Sequence, residues 1–270
     1  MKTRLSKSQI LKYLNCPYQW FIDYRMEYEI KDNTIMVGDH QFLRHYELPD
    51  GEGVGLRHLE PEPPEGSPLK IGLELHEIYE KFYGMKEAKE VKKPYEKNVF
   101  DILMGMENAW KYEDQIKNFA KFNAGLINDK GVENYAPISV EQSIFNEKLN
   151  FIGIIDRVDV SNDGEYSILD YKTGKSHRID QYMLELSLYC ILYEKEYGVE
   201  VDRAGILFSK TKTKPKMADI TRKDKREALG VLQQVRKNIK ESTKCNNDFR
   251  KQHTYLCRFC SNADICKTMS

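Results

Sequence analysis

Residues 153–175 read GIIDRVDVSNDGEYSILDYKTGK. Two short β-branched, apolar runs flank SNDG, which is a strand–turn–strand signal. A turn centred on Asp163, with an odd-numbered loop from Asn162 to Gly164, sets Asp156 opposite Asp170. Their Cβ atoms then lie about 4.5–5.5 Å apart on one sheet face. Lys172, two residues past Asp170, shares that face. An even-numbered loop would shift the register by one and part the carboxylates. Arg157 and Asp159 alternate onto the opposite face, where an ordinary ion pair is expected.

Two carboxylates facing each other repel and weaken a sheet unless something offsets them. A divalent cation does so, because Mg²⁺ and Mn²⁺ combine carboxylate oxygens with water and substrate phosphate. Such a cation acidifies water and polarises a phosphoryl oxygen, and a nearby ammonium stabilises charge that builds up in the transition state. The hairpin therefore predicts metal-assisted phosphodiester hydrolysis. The plainer reading makes these hairpin-edge aspartates and a surface lysine, and the combination of all three on paired strands weighs against it.

Outward from the hairpin, Ile138–Phe145 and Leu149–Val160 read as the preceding strands of a meander. An amphipathic helix is expected from about Asp180 to Tyr197, with Leu184, Leu188, Ile191 and Leu192 as its stripe. Ala204–Ser209 reads as a strand and 222–243 as a basic helix. Upstream, residues 72–84 and 95–129 look helical. Residues 46–68, rich in Gly, Pro and acid, predict a loop or short hairpin. Near the start, Ser6 and Gln9 form a capping box, and Pro17 separates two short helices within 6–25. The predicted class is α/β, a mixed central sheet flanked by helices.

The 270 residues suit one large domain or two small ones. No uncharged apolar run approaches the roughly 18 residues of a membrane span, and MKTRLSKSQI lacks a signal peptide's apolar stretch. A soluble, cytoplasmic protein without a membrane partner is expected, where thiols stay reduced. Lys+Arg and Asp+Glu both number 42, for no net charge. The distribution is uneven: residues 203–258 hold 16 Lys/Arg against 5 acids, and residues 46–66 hold six acids against one Arg. A balanced total can thus hide a phosphate-attracting surface, although a solvated helical tail reads equally well from charge alone. Tyr13, Tyr18, Trp20, Phe21 and Tyr24 fall at helical spacing, which favours core over base stacking.

Cys257-Arg258-Phe259-Cys260 and Cys266 place three thiols within ten residues. The spacing points to a metal centre with a fourth ligand from elsewhere: Cys16, Cys245, Cys190 or His253. Cys190 lies in the apolar part of a helix and reads as a small buried hydrophobe, and Cys245 sits in a polar, basic linker. Structural zinc more often shows two close pairs, whereas three plus one also suits a [4Fe–4S] cluster. Spacing does not choose between them.

GIIDRVD, followed by ILDYKTGK and then a helix, resembles the RecB-like branch of the PD-(D/E)XK nucleases. The resemblance implies a restriction-endonuclease-like core over residues 72–210. It makes Asp156 and Asp170 metal ligands, Tyr171 a main-chain ligand and Lys172 the catalytic lysine. Gly72-Leu73-Glu74-Leu75-His76 stands where that branch carries a helical Gly-x-x-x-His, which makes His76 another ligand. Imidazole suits Mn²⁺ better than Mg²⁺. The branch's Gln-x-x-x-Tyr pair reads here as Glu185-Leu186-Ser187-Leu188-Tyr189, with Tyr189 in place and Glu185 where Gln is expected. Either Gln181, one turn earlier, takes the Gln role, or Glu185 adds a charge that binds metal or disfavours phosphate. Glu141, on the first strand of the meander, is a weaker candidate for the same face.

LSKSQILKYLNCPYQWFIDY, residues 5–24, is similar to the N-terminal signature of RecB-like nucleases that carry an iron–sulfur staple, such as the AddB nuclease domain and the CRISPR-associated RecB-like exonucleases. The resemblance implies a [4Fe–4S] cluster held by Cys16, Cys257, Cys260 and Cys266. Residues 1–25 and 245–270 would form a clasp on a single nuclease domain, 1–270, closing a loop of about 240 residues. It further implies a metal-dependent exonuclease acting on single-stranded DNA ends, in DNA repair or CRISPR adaptation, with helicase or adaptation proteins as partners. The alternative is an iron–sulfur DNA-binding module with a vestigial nuclease site, which Glu185 in place of Gln favours. A zinc-stapled RNA-binding protein has no motif behind it. The resemblance is weak over 26–70 and 85–136, which read as insertions that set substrate path or partner.

Overall fold

The structure is a computed structural model that describes residues 4–44, 46–174, 178–242 and 249–269. The chain packs as two units, Met1–Glu62 with Val231–Ser270, and Pro63–Gly230. In the first, a two-residue strand β1 (Leu5–Ser6) leads into α1 (Lys7–Asn15). Ser6 Oγ accepts from the Gln9 amide and Gln9 Oε1 accepts from the Ser6 amide, closing the expected capping box. Pro17 opens α2 (Pro17–Tyr24), where its missing N–H leaves no helical bond unmade. Tyr13, Tyr18, Trp20 and Phe21 are buried, and Phe249 stacks on Phe21 at 4.8 Å between ring centroids. These aromatics are core, as their spacing predicted.

Four short strands follow, β2 (Glu27–Lys31), β3 (Thr34–Val37), β4 (His40–Leu43) and β5 (Gly51–Val54). They form an antiparallel sheet in the order β4-β3-β2-β5. Asp32 and Asn33, both at positive φ, make the tight turn between β2 and β3. The acidic stretch expected as a loop or local hairpin instead sends β5 back to pair with β2. That pairing spans distant sequence, so local composition did not reveal it.

The second unit begins with α3 (Pro68–Gly84), which Ser67 caps, followed by α4 (Lys86–Lys89), α5 (Tyr95–Met104) and α6 (Glu113–Lys130). The single helical stretch expected over 95–129 breaks at Gly105, and Asn108 takes a left-handed conformation before a short 3-10 turn at Ala109–Tyr112. The meander is β6 (Ser139–Asn146), β7 (Phe151–Val160) and β8 (Tyr166–Lys172). From β8 the chain crosses through α7 (Met183–Tyr197) to β9 (Arg203–Phe208), which lies parallel to β8. Strand β10 (Lys216–Asp219) returns antiparallel to β9. Its lysine-rich approach, TKTKPKMAD, hid it from pattern reading. A basic helix, Arg222–Glu241, follows. The result is the expected mixed sheet flanked by helices.

Pairing of Arg157 with Leu169 and of Val158 with Ile168 is the register of a turn centred on Asp163, and it sets Asp156 opposite Asp170. Helices α3, α5 and α6 lay Leu75, Tyr79, Phe82, Val99, Leu103 and Phe119 into one core with Leu169, Tyr171 and Leu207, each large side chain contributing about 1.5–3 kcal/mol on burial. On α7 every residue from Glu185 to Tyr193 is buried, so the helix is enclosed on all sides and not amphipathic as expected. It passes so close to β7 that a Cβ at Gly153 would lie 2.9 Å from Leu192 Cδ2 and 3.0 Å from Tyr189 Cε1.

The pair expected to be ordinary is not. Arg157 is fully buried; its Nε and Nη2 each donate to Asp159 at 2.6 Å, and Nη2 also donates to the Tyr135 carbonyl at 3.1 Å. The guanidinium donates to the Tyr83 hydroxyl as well and sits over the rings of Tyr83 and Phe122. A sheet face covered by helices holds such a charge only if every donor is met. No described helix is long and apolar enough to cross a membrane.

Candidate active site

Strands β6, β7 and β8 bring three carboxylates into line. Val140 pairs with Arg157 and Gln142 with Ile155, so Glu141 falls opposite Asp156, itself opposite Asp170. Glu141 departs from strand geometry, with φ at +44°. A non-glycine residue holds that conformation only where its surroundings enforce it. From α3, His76 meets this row: its Nδ1 lies 2.8 Å from Glu141 Oε1 and 3.7 Å from Asp156 Oδ2. Its Nε2 lies 3.2 Å from the Tyr171 carbonyl oxygen, and the Tyr171 amide donates to Asp156 Oδ2 at 2.6 Å. One ligand atom each from His76, Glu141 and Asp156 falls within a sphere of mutual distances below 4.8 Å.

Asp170 lies beside this group, not within it. Its Oδ2 is 2.7 Å from Lys172 Nζ, and the same ammonium donates to Glu185 Oε1 at 2.9 Å. Lys172 also faces the Tyr182 ring at 5.3 Å. Tyr189 is buried on α7, and its hydroxyl is pushed far up by burial and by the charges of Asp170, Glu185 and Asp156. Gln181 stays exposed on the 3-10 turn before α7, so of the two residues read for the Gln position it is Glu185 that meets Lys172. Glu141, read as the weaker candidate, stands at the centre. Its place depends on the β6–β7 register, which the loop after Asn146 does not reveal by composition.

The electrostatics describe a site short of positive charge. Burial and the neighbouring Asp170 raise Asp156 to about 7, against the pull of His76 and the Tyr171 amide. Burial alone would lower His76, yet the Glu141 hydrogen bond and the charges of Asp156, Glu141 and Asp170 raise it to about 9. One imidazole with adjacent carboxylates fits a divalent cation of the Mn²⁺ or Mg²⁺ type.

The cysteines stand in the other unit. Cys16 links α1 to α2, Cys257 lies in the 3-10 turn Tyr255–Phe259, Cys260 follows that turn, and Cys266 lies in the helix Ala263–Thr268. All four line one cavity of about 310 Å³, with Lys251 and His253. Burial raises the Cys260 and Cys266 thiols, and Lys251 pulls Cys266 back down. Asp23, buried on α2, accepts from Asn262 Nδ2 at 2.5 Å and pairs with Lys12, tying this loop to α1 and α2. Cys190 is buried on α7, as expected of a small hydrophobe. Cys245 lies outside the described residues.

Among curated proteins the chain has no match. The profile described as "PD-(D/E)XK nuclease superfamily" matches residues 4–267, nearly the whole length. With the D…D-x-K hairpin, the mixed sheet and the cation-ready cluster in view, the chain belongs to the PD-(D/E)XK nuclease superfamily.

Proposed function

We propose that this protein is a metal-dependent DNA exonuclease that hydrolyses phosphodiester bonds at single-stranded ends, in DNA repair or CRISPR adaptation, and carries a [4Fe–4S] cluster. The convergence of His76, Glu141 and Asp156 beside Asp170 and Lys172 carries the hydrolase reading. His76, Glu141, Asp156 and Asp170 would hold the cation, with the Tyr171 carbonyl at hand. When bound, it supplies charge that acidifies water and polarises the phosphoryl oxygen. Lys172 Nζ, fixed by carboxylates on two sides, donates hydrogen bonds that orient the attacking water and stabilise negative charge on the phosphate oxygens. The buried wall of α7, with Tyr189, limits water from behind.

Four thiols around one cavity support the cluster. The three-plus-one arrangement of these cysteines is less usual for structural zinc and suits a [4Fe–4S] cluster. Two rings support a single-stranded substrate. Tyr255 is 72% and Phe259 77% exposed, with Arg258 between them and one acid, Asp264, against Arg250, Lys251, Arg258 and Lys267 over 249–269. Exposed aromatics among cations are the chemistry of base stacking.

The test is cleavage of labelled single-stranded DNA by anaerobically purified protein with Mn²⁺, alongside its iron–sulfur absorbance. Asp170→Ala and Lys172→Ala are expected to lower the rate by at least about a hundredfold. Cluster-bearing protein without cleavage would instead mark a DNA-binding module with a vestigial site, and colourless protein holding zinc would overturn the staple.

A further inference from the structure

Lys172 is shared between two buried carboxylates with different duties. Asp170, on the same strand, is the one a cation would need; Glu185 projects from the first turn of α7. The ammonium lies 2.7 Å from Asp170 Oδ2 and 2.9 Å from Glu185 Oε1. A lysine whose only nearby buried carboxylate was Asp170 would compete with a cation for that group, and displacing it would strand a half-buried ammonium. A second carboxylate on its other side removes the conflict, because the lysine stays paired after Asp170 turns to the cation. Where the resemblance leads one to expect a neutral Gln, this chain carries the charge the geometry uses.

We propose that Glu185 is a positioning residue that anchors the Lys172 ammonium from α7, freeing the Asp170 carboxylate for the divalent cation. Glu185 then acts on cation binding through Lys172, not as a ligand and not by excluding phosphate. The inference rests on reading Asp170 as a cation ligand.

Mn²⁺ dissociation constants measured by calorimetry without DNA test it, on wild type, Glu185→Gln, Lys172→Met and the double variant. Glu185→Gln is expected to weaken Mn²⁺ by about tenfold or more, as outer partners of metal ligands do. In the Lys172→Met background the same change is expected to cost nothing further, since no ammonium remains to anchor. Equal weakening in both backgrounds overturns the proposal and makes Glu185 a ligand or a through-space charge. No weakening in either overturns it too. Should Glu185→Gln fold poorly, Glu185→Asp keeps the charge but retracts the oxygen, and the same dependence on Lys172 is expected. Asp170→Ala separates the two readings: unchanged Mn²⁺ affinity there removes the ligand assignment, whereas weakened affinity with no Glu185–Lys172 coupling removes only the anchor.

Discussion

Asp156 and His76 hold protons that the unfolded chain would release. With Asp156 raised from 3.8 to about 7, the cation-free fold loses stability as pH climbs through that interval. His76, raised from 6.5 to about 9, contributes stability that is whole below 6.5 and gone once pH passes 9. A cation held by these two residues would compete with both protons. The rise in melting temperature caused by a fixed concentration of Mn²⁺ is therefore expected to grow from about pH 6 to about pH 9. Anaerobic thermal melts across that range check it, and a flat or falling increment would remove these two residues from the ligand set. The carboxylate pair and the lysine followed from one assumption, an odd-numbered turn, which the β7–β8 register bears out. Glu141 was underrated because its position follows from a register set by packing.

At the scale of elements, α7 and β7 depend on one missing side chain. Gly153 lets α7 approach until Leu192 and Tyr189 touch the strand, and the same helix carries Glu185 to Lys172. Gly153→Ala must push these side chains aside or lift the helix, at a cost of about 1–3 kcal/mol for overpacking. Urea unfolding measures that loss, which a helix free to shift would not show. The sequence signalled the helix but mistook its environment: the leucine stripe is real, yet polar-looking positions such as Glu185 and Ser187 are buried as well. Periodicity registers one apolar face and is blind to a helix whose polar residues find partners inside. Strands β5 and β10 escaped for a related reason, since each pairs with a strand its own composition does not announce.

Across the whole molecule, the two ends of the chain meet in one unit, where α1 and α2 share a cavity with the Cys257–Cys266 segment. If the four thiols hold one cluster, Cys16→Ser and Cys266→Ser are each expected to lower bound iron and to raise susceptibility to proteolysis at the termini, because a clasp over so long a loop is lost. Iron content and limited proteolysis read the two effects. Iron retained in full by either variant would take that cysteine out of the ligand set. The core of α2, with Trp20, Phe21 and Phe249, and the Asp23–Asn262 bond give this unit a framework that does not depend on the cluster.

By itself the sequence determined the mixed α/β class, the strand order of the meander, the capping box and the cysteine spacing, while the Asp156–Asp170 register rested on an assumed odd-numbered turn that the strand pairing bears out. Each of these rests on periodicity, turn length or neighbours a few residues apart. Only the tertiary structure decided that Glu141 joins His76 and Asp156, that Arg157 is a buried charge bonded to Asp159, Tyr83 and the Tyr135 carbonyl, and that Glu185 grips Lys172. Those depend on contacts between segments far apart in the chain, whose proximity is set by packing of whole elements and leaves no local trace in composition.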